Sequence, residues 1–287
     1  MVNMWWCRPL VLLPPVLSMF TAAGLWVVYF IALYDGKVLP LTSEYRKGNL
    51  SALPPFISIT GNFPPASCYF SEILNLAAFA AFVVGVLRYF QLKTKLDKRW
   101  LNVFSVVCFS VACFGMTIVG NFQLLAMRVT HNMGTLLAFG LGNLYCWLQT
   151  YITWKVNLNN QGRVLAIGRL VLSAAISLCI ILKYGLAVIP HMHTVRCQWA
   201  VVMLFLIYIS TFAFDFRHCR FEVVCRDTAH SFQQIGSKSP SWTRYTGDRR
   251  HTLRQTPPAC GGVKTFALWQ GASACRRRRA RRSASTQ

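Results

Sequence analysis

Glu72 and Asn75 stand one helical turn apart, and Asn121, Gln123 and His131 recur at the ends of two later apolar runs. Once those runs are helices, all five fall at one depth. A polar ring that includes a carboxylate attracts cations, which makes the five a candidate outer vestibule. The same groups also suit helix-to-helix hydrogen bonding, typically for about 0.6 to 2 kcal/mol each, and both readings stay open. Cys68 and Cys197 are the two thiols expected at the same surface, so they are a candidate disulfide linking the second apolar run to the sixth. The alternative is two free thiols. Asn49-Leu50-Ser51 is a glycosylation acceptor triplet. No HExxH, CxxC, GxSxG, phosphate-binding loop or dinucleotide fingerprint occurs, so no catalytic residue, cofactor or metal site is expected, and no enzyme.

The elements that position these groups follow from composition. The 287 residues are 54% hydrophobic and only 13% charged, which excludes an ordinary soluble domain. A helix needs about 20 mostly apolar residues to cross the hydrocarbon, where each backbone polar group must be satisfied internally. Six such runs are present, at about 10–34, 70–90, 101–120, 132–153, 170–189 and 198–216. The sequence predicts an all-α integral membrane protein, a six-transmembrane-helix bundle over 1–226, followed by a disordered basic tail over 227–287. Arg8 before an apolar run imitates a secretory signal, but the run continues to Leu33, which favours a retained anchor.

Basic residues near the spans stay cytoplasmic. Arg88, Lys93, Lys95, Lys98 and Arg99 are assigned to the connection after the second run, and Lys155, Arg163 and Arg169 to the one after the fourth. Both termini are then expected in the cytoplasm, with Asn49 and Cys68 on the opposite side. Half of the 30 basic residues follow Phe216, so the net charge of +22 describes mainly the tail and does not point to nucleic acid.

The string GNFPPASCYF, from Gly61 to Phe70, closes the long first loop. Pro64 and Pro65 keep the second helix from starting before Ala66, with Ser67 or Ser71 as the expected N-cap. Ala77, Ala81 and Gly85 repeat at four-residue spacing and suit close helix packing, inside the bundle more readily than as a dimer face. Lys183 lies near mid-run and is read as snorkelling or paired in preference to lining an ion path. Cys7, Cys219 and Cys225 sit at the cytoplasmic edge as S-acylation candidates or free thiols. The arginine run from Arg276 to Arg282 suits contact with anionic lipid.

Several strings in register with these runs carry a resemblance: Ala23-Gly24-Leu25-Trp26-Val27-Val28-Tyr29, Pro55-Phe56-Ile57-Ser58-Ile59, Pro64-Pro65-Ala66-Ser67-Cys68, Val119-Gly120-Asn121-Phe122-Gln123, His131, and Phe216-Arg217-His218. The chain resembles the six-span family of the damage-regulated autophagy modulators (DRAM) and the transmembrane protein 150 group, most of all its tentonin branch, over about residues 5 to 225. That likeness implies a plasma-membrane or endosomal and lysosomal protein. It also implies a component or modulator of a slowly adapting mechanosensitive cation channel, partnered by a channel subunit or by itself. The alternative implied by the wider family is a regulator of autophagy or a scaffold for a phosphoinositide kinase. The tail after Arg226 departs from the tentonin pattern of a short acidic, serine-rich end.

Overall fold

Inward-facing positions recur at spacings of three and four along each long run, and this decides how the helices meet. In the second run they are Ala77, Ala81, Val84, Arg88 and Gln91, and in the fifth they are Ala166, Arg169, Ser173 and Ile176; all are buried. Such a stripe keeps one helix face against its neighbours over several turns. The computed structural model describes residues 9–43, 52–156, 162–185, 191–217 and 219. The regular structure among them is helical, with one isolated β-bridge between Val38 and Leu53.

The helices are α1 (Pro9–Tyr34), α2 (Ile57–Thr60), α3 (Ala66–Leu92), α4 (Arg99–Asn121), α5 (Arg128–Leu136), α6 (Gly142–Val156), α7 (Gly162–Gly185), α8 (His191–Ser210) and α9 (Phe212–Phe216). Among the described residues, 5 helices are long and apolar enough to cross a membrane, starting at Leu10, Ala66, Arg99, Gly162 and Met192. The expected fourth run is helical from Arg128 to Val156, but a π-helical turn, Leu137–Leu141, divides it into α5 and α6. Next to that turn the backbones of α4 and α5 touch. A Cβ added to Gly115 would lie 2.7 Å from the Gly134 carbonyl oxygen and 2.8 Å from the Ala138 nitrogen. Only glycine leaves room for that approach.

Helices adjacent in the chain pack against each other in order: α1 on α3, α3 on α4, α4 on α5 and α6, α6 on α7, and α7 on α8. Because α8 then returns to α1, the order closes on itself around an interior. The chain divides into two units, Met1–Val223 and Val224–Gln287, against the expected boundary after Arg226. The tail and its arginine run lie outside the described residues, as do Asn49, Cys7 and Cys225.

Several boundaries differ from the sequence reading. The fifth helix begins at Gly162, well before Leu170, and the sixth begins at His191 and is interrupted at Thr211 before α9. Helix α3 does start at Ala66, yet its N-cap is Pro65 and no side chain caps it. Ser67 lies too far inside to serve: its amide donates to the Phe63 carbonyl at 2.9 Å. The Ser71 hydroxyl is engaged elsewhere, donating to Asn121 Oδ1 at 2.8 Å.

The first loop is tied down onto the helix ends. Trp199 Nε1 donates to the Pro55 carbonyl at 2.9 Å, the Leu41 amide donates to the Tyr29 hydroxyl, and the Leu125 amide donates to Asn62 Oδ1. Gly61 rests on Phe70, whose ring would clash with any Cβ there. The string that closes the loop thus places α2 over an apolar cluster containing Leu25, Tyr29, Ile57, Phe70 and Trp199.

Candidate functional site

Arg88 and Arg169 are completely buried, and between them lies Asp215. This corrects their assignment to basic connections. Arg88 continues the inward stripe of α3 and Arg169 that of α7, so both chains turn into the bundle and not toward water. The fifth and second helices deliver the two guanidinium groups, and the interruption at Thr211 sets α9 so that Asp215 meets both. Asp215 Oδ1 lies 3.0 Å from Arg88 Nη1, and Asp215 Oδ2 accepts from Arg169 Nη2.

Two arginines and one aspartate leave a surplus positive charge, which the surrounding oxygens absorb. Arg88 Nε donates to Gln149 Oε1 at 3.1 Å and Nη1 to Gln91 Oε1 at 2.6 Å. Arg169 Nε donates to Thr211 Oγ1 at 2.9 Å and Nη1 to Thr153 Oγ1 at 2.6 Å. Gln149 Nε2 donates on to Ser105, and Gln91 Nε2 to the Asp215 carbonyl, so α3, α4, α6, α7 and α9 are knotted at one level. The Phe212 ring lies 4.6 Å from the Arg169 guanidinium carbon, close enough for its negative face to stabilise the cation. Each charge has satisfied partners, the condition under which a buried ion network is tolerated. The cluster holds no activated nucleophile; its chemistry is to clamp helices.

Above the clamp the interior is apolar. A cavity of about 150 Å³ is lined by α1 to α6 and α8, with Leu74, Phe109, Met116, Val202 and Phe205 among its walls. Phe109 stacks on Tyr145 with ring centres 4.0 Å apart at the level where cavity and clamp meet.

The expected vestibule does not assemble. Asn75 and Asn121 form a reciprocal amide pair, 2.9 Å and 3.2 Å, bridging α3 and α4. Glu72 is exposed on α3, Gln123 is half-buried in the connection after α4, and none of the five lines the cavity. His131 is buried apart from them. Its Nδ1 lies 2.6 Å from the Phe122 carbonyl, which only accepts, so Nδ1 carries the proton and Nε2 accepts from the Ser58 hydroxyl at 2.8 Å. Ser71 and Asn75, four residues apart on one face of α3, both meet Asn121, whereas Glu72 follows Ser71 by about 100° and makes no such contact.

The expected disulfide is also absent: Cys68 and Cys197 are both free, Cys68 on an exposed face. Cys219 is half-buried and accepts from Gln91 Nε2. Ala77, Ala81 and Gly85 are buried, and Gly85 faces Phe109, whose ring would sit 2.5 Å from an added Cβ. Lys183 Nζ donates to the Tyr184 hydroxyl at 2.9 Å and lies 5.0 Å from the centre of the Phe139 ring, outside the cavity lining.

Sequence reasoning missed Asp215 and the inward course of both arginines. The available signal was the stripe itself: Ala77, Ala81 and Val84 continue at the same spacing to Arg88 and Gln91.

Residues 9–219 match the Frag1/DRAM/Sfk1/Cwh43P N-terminal domain. The chain is 36% identical to the bovine protein named modulator of macroautophagy TMEM150B, over 71% of this chain and 84% of that protein. The human protein of that name is 36% identical over the same shares. Human transmembrane protein 150A is 29% identical over 72% of this chain and 83% of its own length. No solved structure matches the chain.

Proposed function

Because the chain belongs to the Frag1/DRAM/Sfk1/Cwh43P family, we propose that it modulates macroautophagy from within a membrane, through partners and not by catalysis. The carrying observation is the likeness to bovine and human modulators of macroautophagy over 84% of their lengths, a stretch that takes in the helical unit. Counting the α5–α6 run as a span gives six. Lys93, Lys95, Lys98, Arg99, Lys155 and Arg163 then share one side, the cytoplasmic one by the positive-inside rule, together with both termini. The endosomal and lysosomal membranes suit such a role best, with the plasma membrane as a second residence. Its partners are membrane lipids and other membrane proteins, self-association included; the basic tail adds anionic-lipid contact.

The channel-component reading is the weaker one. Its support was the likeness to the tentonin branch, whereas the relatives reported above are named modulators of macroautophagy, and Glu72 of the polar ring stands outside the cavity lining. The deciding experiment deletes the gene in cultured cells and follows degradation of long-lived protein during starvation, with and without a lysosomal inhibitor. A change of about twofold or more in the inhibitor-sensitive part, restored by re-expression, supports the proposal. Unchanged degradation together with stretch-activated current from the purified chain in liposomes would overturn it in favour of a channel.

A further inference from the structure

Two buried polar atoms without a hydrogen-bond partner belong to residues that line the same cavity: Tyr145 Oη and Gln198 Oε1. Tyr145 is 1% exposed and Gln198 5%. A buried polar atom left unpaired is costly, so a native interior that keeps two of them around one space points to something that meets them there. The third unpaired atom among the described residues, Asn102 Oδ1, belongs to a residue outside that lining.

The two groups mark opposite ends. Gln198 precedes Trp199, which is bonded to Pro55 beneath the first loop. Tyr145 precedes Cys146, whose carbonyl accepts from the Tyr208 hydroxyl. From Gln198 to Tyr208 helix α8 rises about 15 Å. A cavity that long and only about 150 Å³ in volume is narrow. A space that narrow has the cross-section of one alkyl chain and excludes the broader body of a fused-ring ligand.

We propose that this cavity binds a single alkyl chain bearing a hydroxyl, the O–H donating to Gln198 Oε1 and the chain lying along Phe109 and Met116 toward Tyr145. The hydroxyl of Tyr145 meets an oxygen function at the far end of the chain where there is one. This ligand site stands independently of the part the chain plays in autophagy.

The test uses the purified full chain in lipid nanodiscs, labelled with a diazirine-bearing 1-decanol and mapped by mass spectrometry. Saturable labelling of cavity-lining peptides of α3, α6 and α8 is expected. 1-Decanol should compete about fivefold better than decane, the change one ordinary hydrogen bond gives. A 1,10-diol should compete better still. Gln198→Met should abolish the preference for decanol over decane, and Tyr145→Phe only the gain from the second hydroxyl. Ala112→Leu, which fills the space, should block labelling; thermal midpoints establish that each variant is folded, and Gln198→Met decides if the filled variant is not. Unsaturable labelling confined to outward residues such as Phe79 and Phe114, equal competition by decanol and decane, or competition by a sterol alone would each overturn the proposal.

Discussion

Arg88 Nη1 lies 3.0 Å from Asp215 Oδ1, and both side chains are closed off from solvent. Helices distant in sequence are therefore joined at a point where water meets neither charge, and the same carboxylate also holds Arg169. Loss of the shared anion is thus the most damaging single change. Asp215→Asn strands two buried guanidinium groups, and the expected cost is about 3 to 5 kcal/mol. Arg88→Met leaves Asp215 paired with Arg169 and costs less. The triple variant Arg88→Met, Arg169→Met, Asp215→Leu recovers much of the loss, because no charge remains to be desolvated. Thermal midpoints followed by fluorescence-detected size exclusion give the order; equal midpoints for Asp215→Asn and Arg88→Met would contradict the shared-anion account.

The approach of α4 to α5 makes a second prediction. Gly115→Ala and Gly134→Ala each drive a methyl into the opposing helix, backbone included, at an expected cost of about 1 to 3 kcal/mol. Gly168, also helical, has nothing within 4 Å of an added Cβ. Gly168→Ala is expected to stabilise by about 0.5 to 1 kcal/mol through helix propensity. Chemical-denaturation midpoints in detergent distinguish the positions, and a Gly115→Ala variant as stable as Gly168→Ala would show that the contact is loose.

His131 fastens α2 to the start of α5 through Ser58. His131→Ala leaves the Ser58 hydroxyl and the Phe122 carbonyl without that partner, at about 1 to 3 kcal/mol. Amide hydrogen exchange in residues 57–62 is expected to speed up while exchange in the middle of α3 stays as it was. Glu72→Gln, on an exposed face, serves as the control and is expected to alter neither.

Thiol chemistry tests the separation of Cys68 from Cys197. With both free, each is expected to take up an alkylating reagent without prior reduction, whereas buried Cys113 and Cys146 react only after unfolding. Intact-mass spectrometry counts the modifications. A product in which Cys68 and Cys197 react only after reduction would restore the bridge.

Composition alone determined that this chain is helical and belongs in a membrane, since several runs long enough to span the hydrocarbon leave few alternatives for satisfying the backbone. It also set local features such as the start of α3 at Ala66, because proline fixes its own φ and restricts the residue before it, which needs no distant neighbour. The tightly packed Ala77, Ala81 and Gly85 stripe was legible for the same reason: small residues at helical spacing describe a surface before any partner is known. The site was not legible in this way. Hydropathy sums a helix around its whole circumference, so Arg88 and Arg169, near the ends of their runs, were read as loop charges. Whether a charge meets water or another charge depends on which face it occupies and which helix lies opposite. The tertiary structure settled that by bringing α9, with Asp215, to both arginines.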